Sequence, residues 1–161
     1  MGKKKKNKGS DLPEGAILLV RNKRGRFDYE LDEEFEAGLV LLGSEVKSLR
    51  EKRASINEAH IEVRKGEAWL VGARIQEYAW ANQFNHDPDR KRKLLLHRRE
   101  IKKIDVRITQ RGFSAIPPAL YLKGGKVKLL FGIGRGKKLY EKRDAKKERD
   151  AMRDVDRARA G

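Results

Sequence analysis

The chain has no cysteine, only four prolines, and an aromatic content of 7%. Without cysteine there is no disulfide framework, thiolate metal site or thiol nucleophile, so zinc ribbons and thiol catalysis are excluded together. Nowhere is there the run of about 18 apolar residues that a membrane-spanning helix needs. The opening MGKKKKNKGS is basic but no apolar segment follows it, so it does not read as a secretory signal. The histidines at 60, 86 and 97 have no partner at helical spacing, so no metal site is expected and no cofactor is called for. Acidic charge is also outnumbered, with 24 Asp/Glu against 40 Lys/Arg and a net charge of +16.

The basic charge that is present is placed in three stretches. Arg90 to Arg107 holds nine basic and two acidic residues, the segment up to Arg26 nine and two, and the segment from Arg135 eleven and six. The rest of the chain is net acidic. Segregation of this kind suits a protein that grips a polyanion at several points, and nucleic acid is the first reading. The expected organisation is a disordered basic arm over 1–12, a compact body over 13–134 and a basic tail over 135–161. For the arm, a binding role and a solubility role both stay open.

Ala16 to Val20 is a short apolar run, followed by a basic turn, Asn22 to Arg26, that carries Lys23 and Arg24. Apolar and acidic residues alternate from Phe27 to Leu31, which predicts a half-buried strand. Phe35 to Leu42 predicts a second strand, bent at Gly38 where another backbone comes close. A helix then opens at Gly43-Ser44, with Ser44 as its cap and Glu45 and Arg50 suiting its dipole. Ala59, Ile61 and Val63, the turn Lys65-Gly66 and the run Ala68 to Val71 predict a hairpin. A long loop from Gln76 to Arg92 leads to a helix over Leu94 to Lys103, packed through Leu94, Ile101 and Ile104 with its basic face wet. A second hairpin turns at Gly124-Gly125 and buries Val127, Leu129, Phe131 and Ile133, with Pro117-Pro118 at a strand start or edge. Five or six strands arriving as hairpins, with two or three short helices, predict a mainly β, antiparallel barrel of the oligonucleotide-binding (OB) type.

The tail has good helix formers but no apolar stripe, and like charges fall four apart, as at Lys142 and Lys146. Each such pair costs about 0.2–0.5 kcal/mol in an isolated helix, so the free tail is expected to be disordered. On a helical wheel Lys142, Lys146, Arg149, Arg153 and Arg157 share one sector, a stripe that a row of phosphates would favour. A solvated tail without a partner is the other reading. Gly132 to Lys138 fails as a Walker A loop, because its glycines are one residue too close and Lys138 stands where Ser or Thr would hold magnesium. A phosphate-meeting strand exit and a hinge both remain open there. Ser44 and Lys47 match S-x-x-K without its companion motifs and read as a capped helix. His86 beside Asp87 reads as loop chemistry or as an acid/base pair, His97 as a packed or a base-stacking residue, and Tyr140 among lysines as a stacking or a packing aromatic.

Taken together, NKRGRFDYELDEEFEAGLVLLGSEVKSLRE, NHDPDRKRKLLLHRREI and GRGKKLYEKR resemble the small protein B family, the bacterial SsrA-binding proteins, from about Asn22 to Arg143. The resemblance implies an OB-type barrel without catalytic activity that binds the tRNA-like domain of transfer-messenger RNA. It implies delivery of that RNA to stalled 70S ribosomes, with the tail helical in the vacant messenger channel near the decoding centre and 16S ribosomal RNA. A cytoplasmic monomer, linked to elongation factor Tu and alanyl-tRNA synthetase only through the RNA, completes the implied picture. Glu36 then corresponds to a residue whose carboxylate contacts RNA, and Leu95 and His97 to RNA-facing positions. Lys23, Arg24, Glu45, Lys47, Arg50, Asn85 and Lys93 are further implied RNA-binding positions, and Gly136, Lys137 and Lys138 match the exit from the barrel. Tyr140, Glu141, Lys142, Arg143, Lys146, Arg149, Arg153 and Arg157 are the implied channel residues, with Glu141 where the family usually has the shorter Asp. Pro117-Pro118 departs from a more usual single proline. Two other classes stand beside this one: an RNA-processing enzyme using His86 or Asp87, and a general DNA-compacting protein.

Overall fold

A computed structural model describes residues 12–81, 85–137 and 139–160. The chain runs β1 (Ile17–Arg21), α1 (Gly25–Asp28), β2 (Tyr29–Leu39), α2 (Gly43–Arg50), β3 (Ala54–Ser55), β4 (His60–Arg64), β5 (Glu67–Val71), β6 (Arg74–Ile75) and β7 (Arg92–Leu95). It continues with α3 (Arg98–Ile108), β8 (Phe113–Lys123), β9 (Lys126–Gly136) and α4 (Leu139–Ala160). Seven strands form one antiparallel sheet in the order β1-β8-β9-β2-β7-β5-β4, and β3 pairs with β6 apart from it. β4 packs against β8, so the sheet curls over its core, yet no ladder joins β4 to β1 among the described residues. The mainly β, antiparallel, OB-like class holds. The strands are more numerous than the five or six expected, and the barrel is not closed by hydrogen bonds.

Alternation decides which face is buried. Ala37, Leu94, Leu120, Leu129, Phe131 and Ile133 line the inside together with Ile61, Ala68 and Leu70 of the first hairpin, and Phe35 stacks on Phe131 at 5.4 Å. Both hairpins turn where expected, through Lys65-Gly66 and Gly124-Gly125, all four residues with positive φ. At Gly38 a Cβ would lie 3.3 Å from that of Leu95, so the close neighbour is a side chain and not the backbone expected there.

Several expectations are corrected. The two strands predicted before and after residue 32 are one, β2, and residues 25–28 are a helical turn. Asn22 builds that turn: its Oδ1 accepts from the N–H groups of Arg24 and Gly25, and its Nδ2 donates to Pro117 O at 3.1 Å. Leu94 is a strand residue, because the helix begins only at Arg98. Ser44 does not cap α2; its hydroxyl faces His86, and the Glu45 carboxylate accepts from the Leu42 N–H instead. Pro117-Pro118 sits mid-strand at a register shift of β8 between Ile116 and Ala119, a bulge that removes the need for their missing donors. β9 runs two residues past the expected end of the body, since Gly136 still pairs with Tyr29. Gly132 and Gly134 therefore lie inside a strand, neither at its exit nor in a hinge. A Cβ on Gly134 would fall 1.8 Å from Glu30 O, so only glycine lets β2 pass so near. Residues 1–11, where the basic arm was expected, lie outside the described residues.

Candidate nucleic-acid interface

The basic stretch from Arg90 to Arg107 divides into structural and open charges. Glu45 is fully buried on α2, where its Oε2 accepts from Arg92 Nε at 2.5 Å and its Oε1 from Arg90 at 2.5 Å and from the Leu42 N–H at 2.8 Å. Burial pushes the Glu45 carboxyl up, but the hydrogen bonds from Arg90, Leu42 and Arg92 outweigh it and hold the group below the usual carboxylate range. Arg92, equally buried, spends its other donors on the carbonyls of Ala73 and Pro88. Glu45 was expected at the RNA surface and is instead the counter-ion of a core arginine.

A second structural cluster comes from a register shift in β2 between Leu31 and Glu33. Neighbouring strand residues normally face opposite sides, and a bulge relaxes that rule. Asp32 and Glu33 both reach Arg107, at 2.9 and 3.0 Å, and Glu33 also meets Lys103 at 2.5 Å. Hydrogen bonds from Arg107 lower the Asp32 carboxyl, those from Lys103 and Arg107 lower that of Glu33, and the same bonds raise the Arg107 guanidinium. The acids of β2 thus neutralise the C-terminal half of α3.

The other half stays open. Arg98, Arg99 and Lys102, at the start of α3, are exposed, and among the described residues no acid lies within ion-pair distance of them. His97, just before them, is exposed rather than packed. The outer sheet face adjoins this end: Gly38 pairs with Leu95 on one side and Lys128 on the other, and Lys128 pairs with Tyr121. Partners across an antiparallel ladder point the same way, so Glu36, Lys93, Leu95, Lys123, Lys126 and Lys128 share that face. The buried Tyr121 hydroxyl donates to Glu36 Oε2, with Lys123 Nζ 3.7 Å away, while Oε1 has no partner among the described residues. Burial, then the bond to Glu36, raises the Tyr121 phenol, which stays a donor. Leu95 is 55% exposed, and Lys93 reaches Glu67 at 3.1 Å yet stays partly open.

The remaining expected residues scatter. Lys23 and Arg24 are exposed at the turn before α1, and Lys47 and Arg50 on the outer side of α2. Asn85 is occupied with the backbone of Tyr78. His86 is buried between Ser44 Oγ and Ile75 O, each at 2.8 Å; a carbonyl only accepts, so Nε2 carries the proton and Nδ1 faces the hydroxyl. That histidine braces a loop and has no free nitrogen for acid/base work. Gly136 ends β9, and the Lys137 N–H bonds Asp28 O at 2.8 Å, so the exit from the body is fixed. Arg143, Lys146, Arg149, Arg153 and Arg157 are exposed on α4, where Arg149 lies 5.5 Å over the ring of Phe27. Lys138 and the side chains of Tyr140, Glu141 and Lys142 lie outside the described residues. The sequence reading missed Lys123, Lys126 and Lys128, whose spacing around a Gly-Gly turn was the available signal. A cleft of about 580 Å³ beside α1 is lined by Asp28, Glu58, Glu62 and Asp105 against Arg24 and Arg64, a poor match for phosphate.

The model of the family described as SmpB protein matches residues 19–160. An SsrA-binding protein of Limosilactobacillus fermentum is 44% identical over 96% of this chain and 96% of its own. That of Syntrophobacter fumaroxidans is 47% identical over 96% and 95%. A solved chain described as "tmRNA-SmpB: a journey to the center of the bacterial ribosome" superposes with a TM-score of 0.65 at 38% identity, covering 76% of this chain and 87% of that one. The family model spans the curled sheet, the open start of α3 and the tail helix alike, and the chain belongs to the SmpB protein family.

Proposed function

We propose that the protein is a non-catalytic RNA-binding factor of trans-translation. In this reading it binds the tRNA-like domain of transfer-messenger RNA through its body and brings it to stalled ribosomes in the cytoplasm. The observation that carries the reading is the continuity of the open cations Arg98, Arg99 and Lys102 with the outer sheet face that holds Glu36, Leu95 and Lys128. Lysines and arginines there meet phosphates. Glu36, held by Tyr121 with one oxygen spare, accepts from a base amino or imino group, and Leu95 offers an apolar contact. The family relatives carry the name SsrA-binding protein, which fits this chemistry. The tail helix α4, with its basic stripe, is proposed as the form the tail takes in the vacant messenger channel, its ordering entropy offset by contacts to ribosomal RNA. Links to elongation factor Tu and alanyl-tRNA synthetase run through the RNA, and the protein acts as a monomer.

The experiment is a filter-binding titration with the tRNA-like domain and with random duplex DNA at the same salt. Tighter binding to the folded RNA, by tenfold or more, is expected. Equal affinity would leave a general polyanion binder.

A further inference from the structure

We propose that Trp80 is a stacking platform for an unpaired nucleobase, held out on a hydrogen-bonded turn beside α2; the proposal rests on the RNA-binding reading above. Trp80 is 82% exposed, the most exposed of the large apolar residues described. A lone exposed apolar side chain needs no explanation, but the turn that carries this one is hydrogen-bonded to Asn85 and met from α2 by Lys47. The Ala81 N–H bonds Tyr78 O at 3.0 Å, which closes the turn with Trp80 near its tip. Asn85 Nδ2 donates to the same carbonyl at 2.9 Å, and its Oδ1 accepts from the N–H groups of Tyr78 and His86. His86 is itself locked between Ser44 and Ile75 O, which ties the far side of the loop to the body. From α2, the Lys47 ammonium lies 5.5 Å from the centre of the Tyr78 ring. Asn85 and Lys47, expected to touch RNA directly, thus build the support of a neighbouring residue.

An exposed indole on a hydrogen-bonded turn, with Arg50 exposed on the adjoining helix, is a combination that suits single-stranded nucleic acid, the ring under a base and the guanidinium beside its phosphate. Stacking suits any base, so the ligand is a nucleotide splayed out of a folded RNA, not a paired one. The charge of +16 on the chain favours that occupant over a protein segment.

The chain has two tryptophans, so a Trp69→Phe background leaves Trp80 as the sole indole reporter. Titrating that full-length protein with the tRNA-like domain should quench its emission with the midpoint seen by filter binding, and a blunt RNA duplex should quench little. Trp80→Ala should weaken binding by about 5- to 150-fold and Trp80→Phe should restore most of it. The salt slope should not change, since no charge is removed. Parent-like affinity of Trp80→Ala together with unquenched emission would overturn the proposal while leaving RNA binding intact. Quenching by ribosomes alone would overturn it by assigning the turn to another partner. A parent protein without preference for the folded RNA would remove the underlying reading as well.

Discussion

Truncating Glu45 to alanine would leave a fully buried guanidinium, that of Arg92, without its counter-ion. Breaking one side of a buried pair costs about 3–5 kcal/mol, so Glu45→Ala should lower the urea midpoint sharply. A loss under about 1 kcal/mol would return Glu45 to the surface role its sequence position suggested. The same carboxylate sets the acid limit of the fold. Asp32, Glu33 and Glu45 are held below their ordinary values in the folded state. Their contribution is therefore complete above the ordinary carboxylate range of about 4 and is lost as pH falls through the lower folded-state values. Asp32 and Glu33 lie near solvent and add little. Stability should be level from neutrality to about pH 5 and fall steeply below about pH 4, with a flatter profile to pH 3 as the contrary result. Little of this was legible in the sequence. Glu45 and Arg92 are distant along the chain, and nothing local distinguishes a buried arginine in RKRK from its exposed neighbours.

At the scale of elements, the hairpins were legible because their turns are local chemistry: Lys65-Gly66 and Gly124-Gly125 take the positive φ that a tight hairpin requires. The junction at Leu94 was not, since a short apolar run fits a helix end and a buried strand equally well and the ladder to β2 decides. The glycines of β9 were read as a strand exit or a hinge because their reason lies across the sheet in β2. Gly134→Ala should cost about 1–3 kcal/mol or more, as the added methyl meets the Glu30 carbonyl. A hinge glycine would instead show neutrality or a gain of about 0.4–1 kcal/mol in the same denaturation experiment. The two halves of α3 should also separate. Replacing Arg98, Arg99 and Lys102 with alanine should weaken RNA binding and flatten its salt slope by up to about 0.7–0.9 for each phosphate no longer neutralised. Replacing Lys103 and Arg107, whose charges Asp32 and Glu33 already neutralise, should change the salt slope little. Identical salt slopes for the two sets would contradict the division.

For the whole molecule, the net charge of +16 conceals a body in which Asp32, Glu33 and Glu45 are spent on its own cations, leaving open positive charge at the start of α3, along the outer sheet face and on the tail. The sequence showed that charge was placed; it could not show which placements were internal. The family resemblance was legible because its motifs cover the sheet, α3 and the tail junction together. Under the proposed function the body is the RNA-binding unit and α4 works inside the ribosome. The structure sets where to cut: after Lys138, because β9 pairs through Gly136 and Lys137 is tied to Asp28. The most direct measurement compares residues 1–138 with the full chain, for affinity to the tRNA-like domain and for tagging on stalled ribosomes. Affinity within a few-fold of the full chain with tagging abolished is the predicted result; normal tagging, or RNA binding lost with the tail, would contradict it.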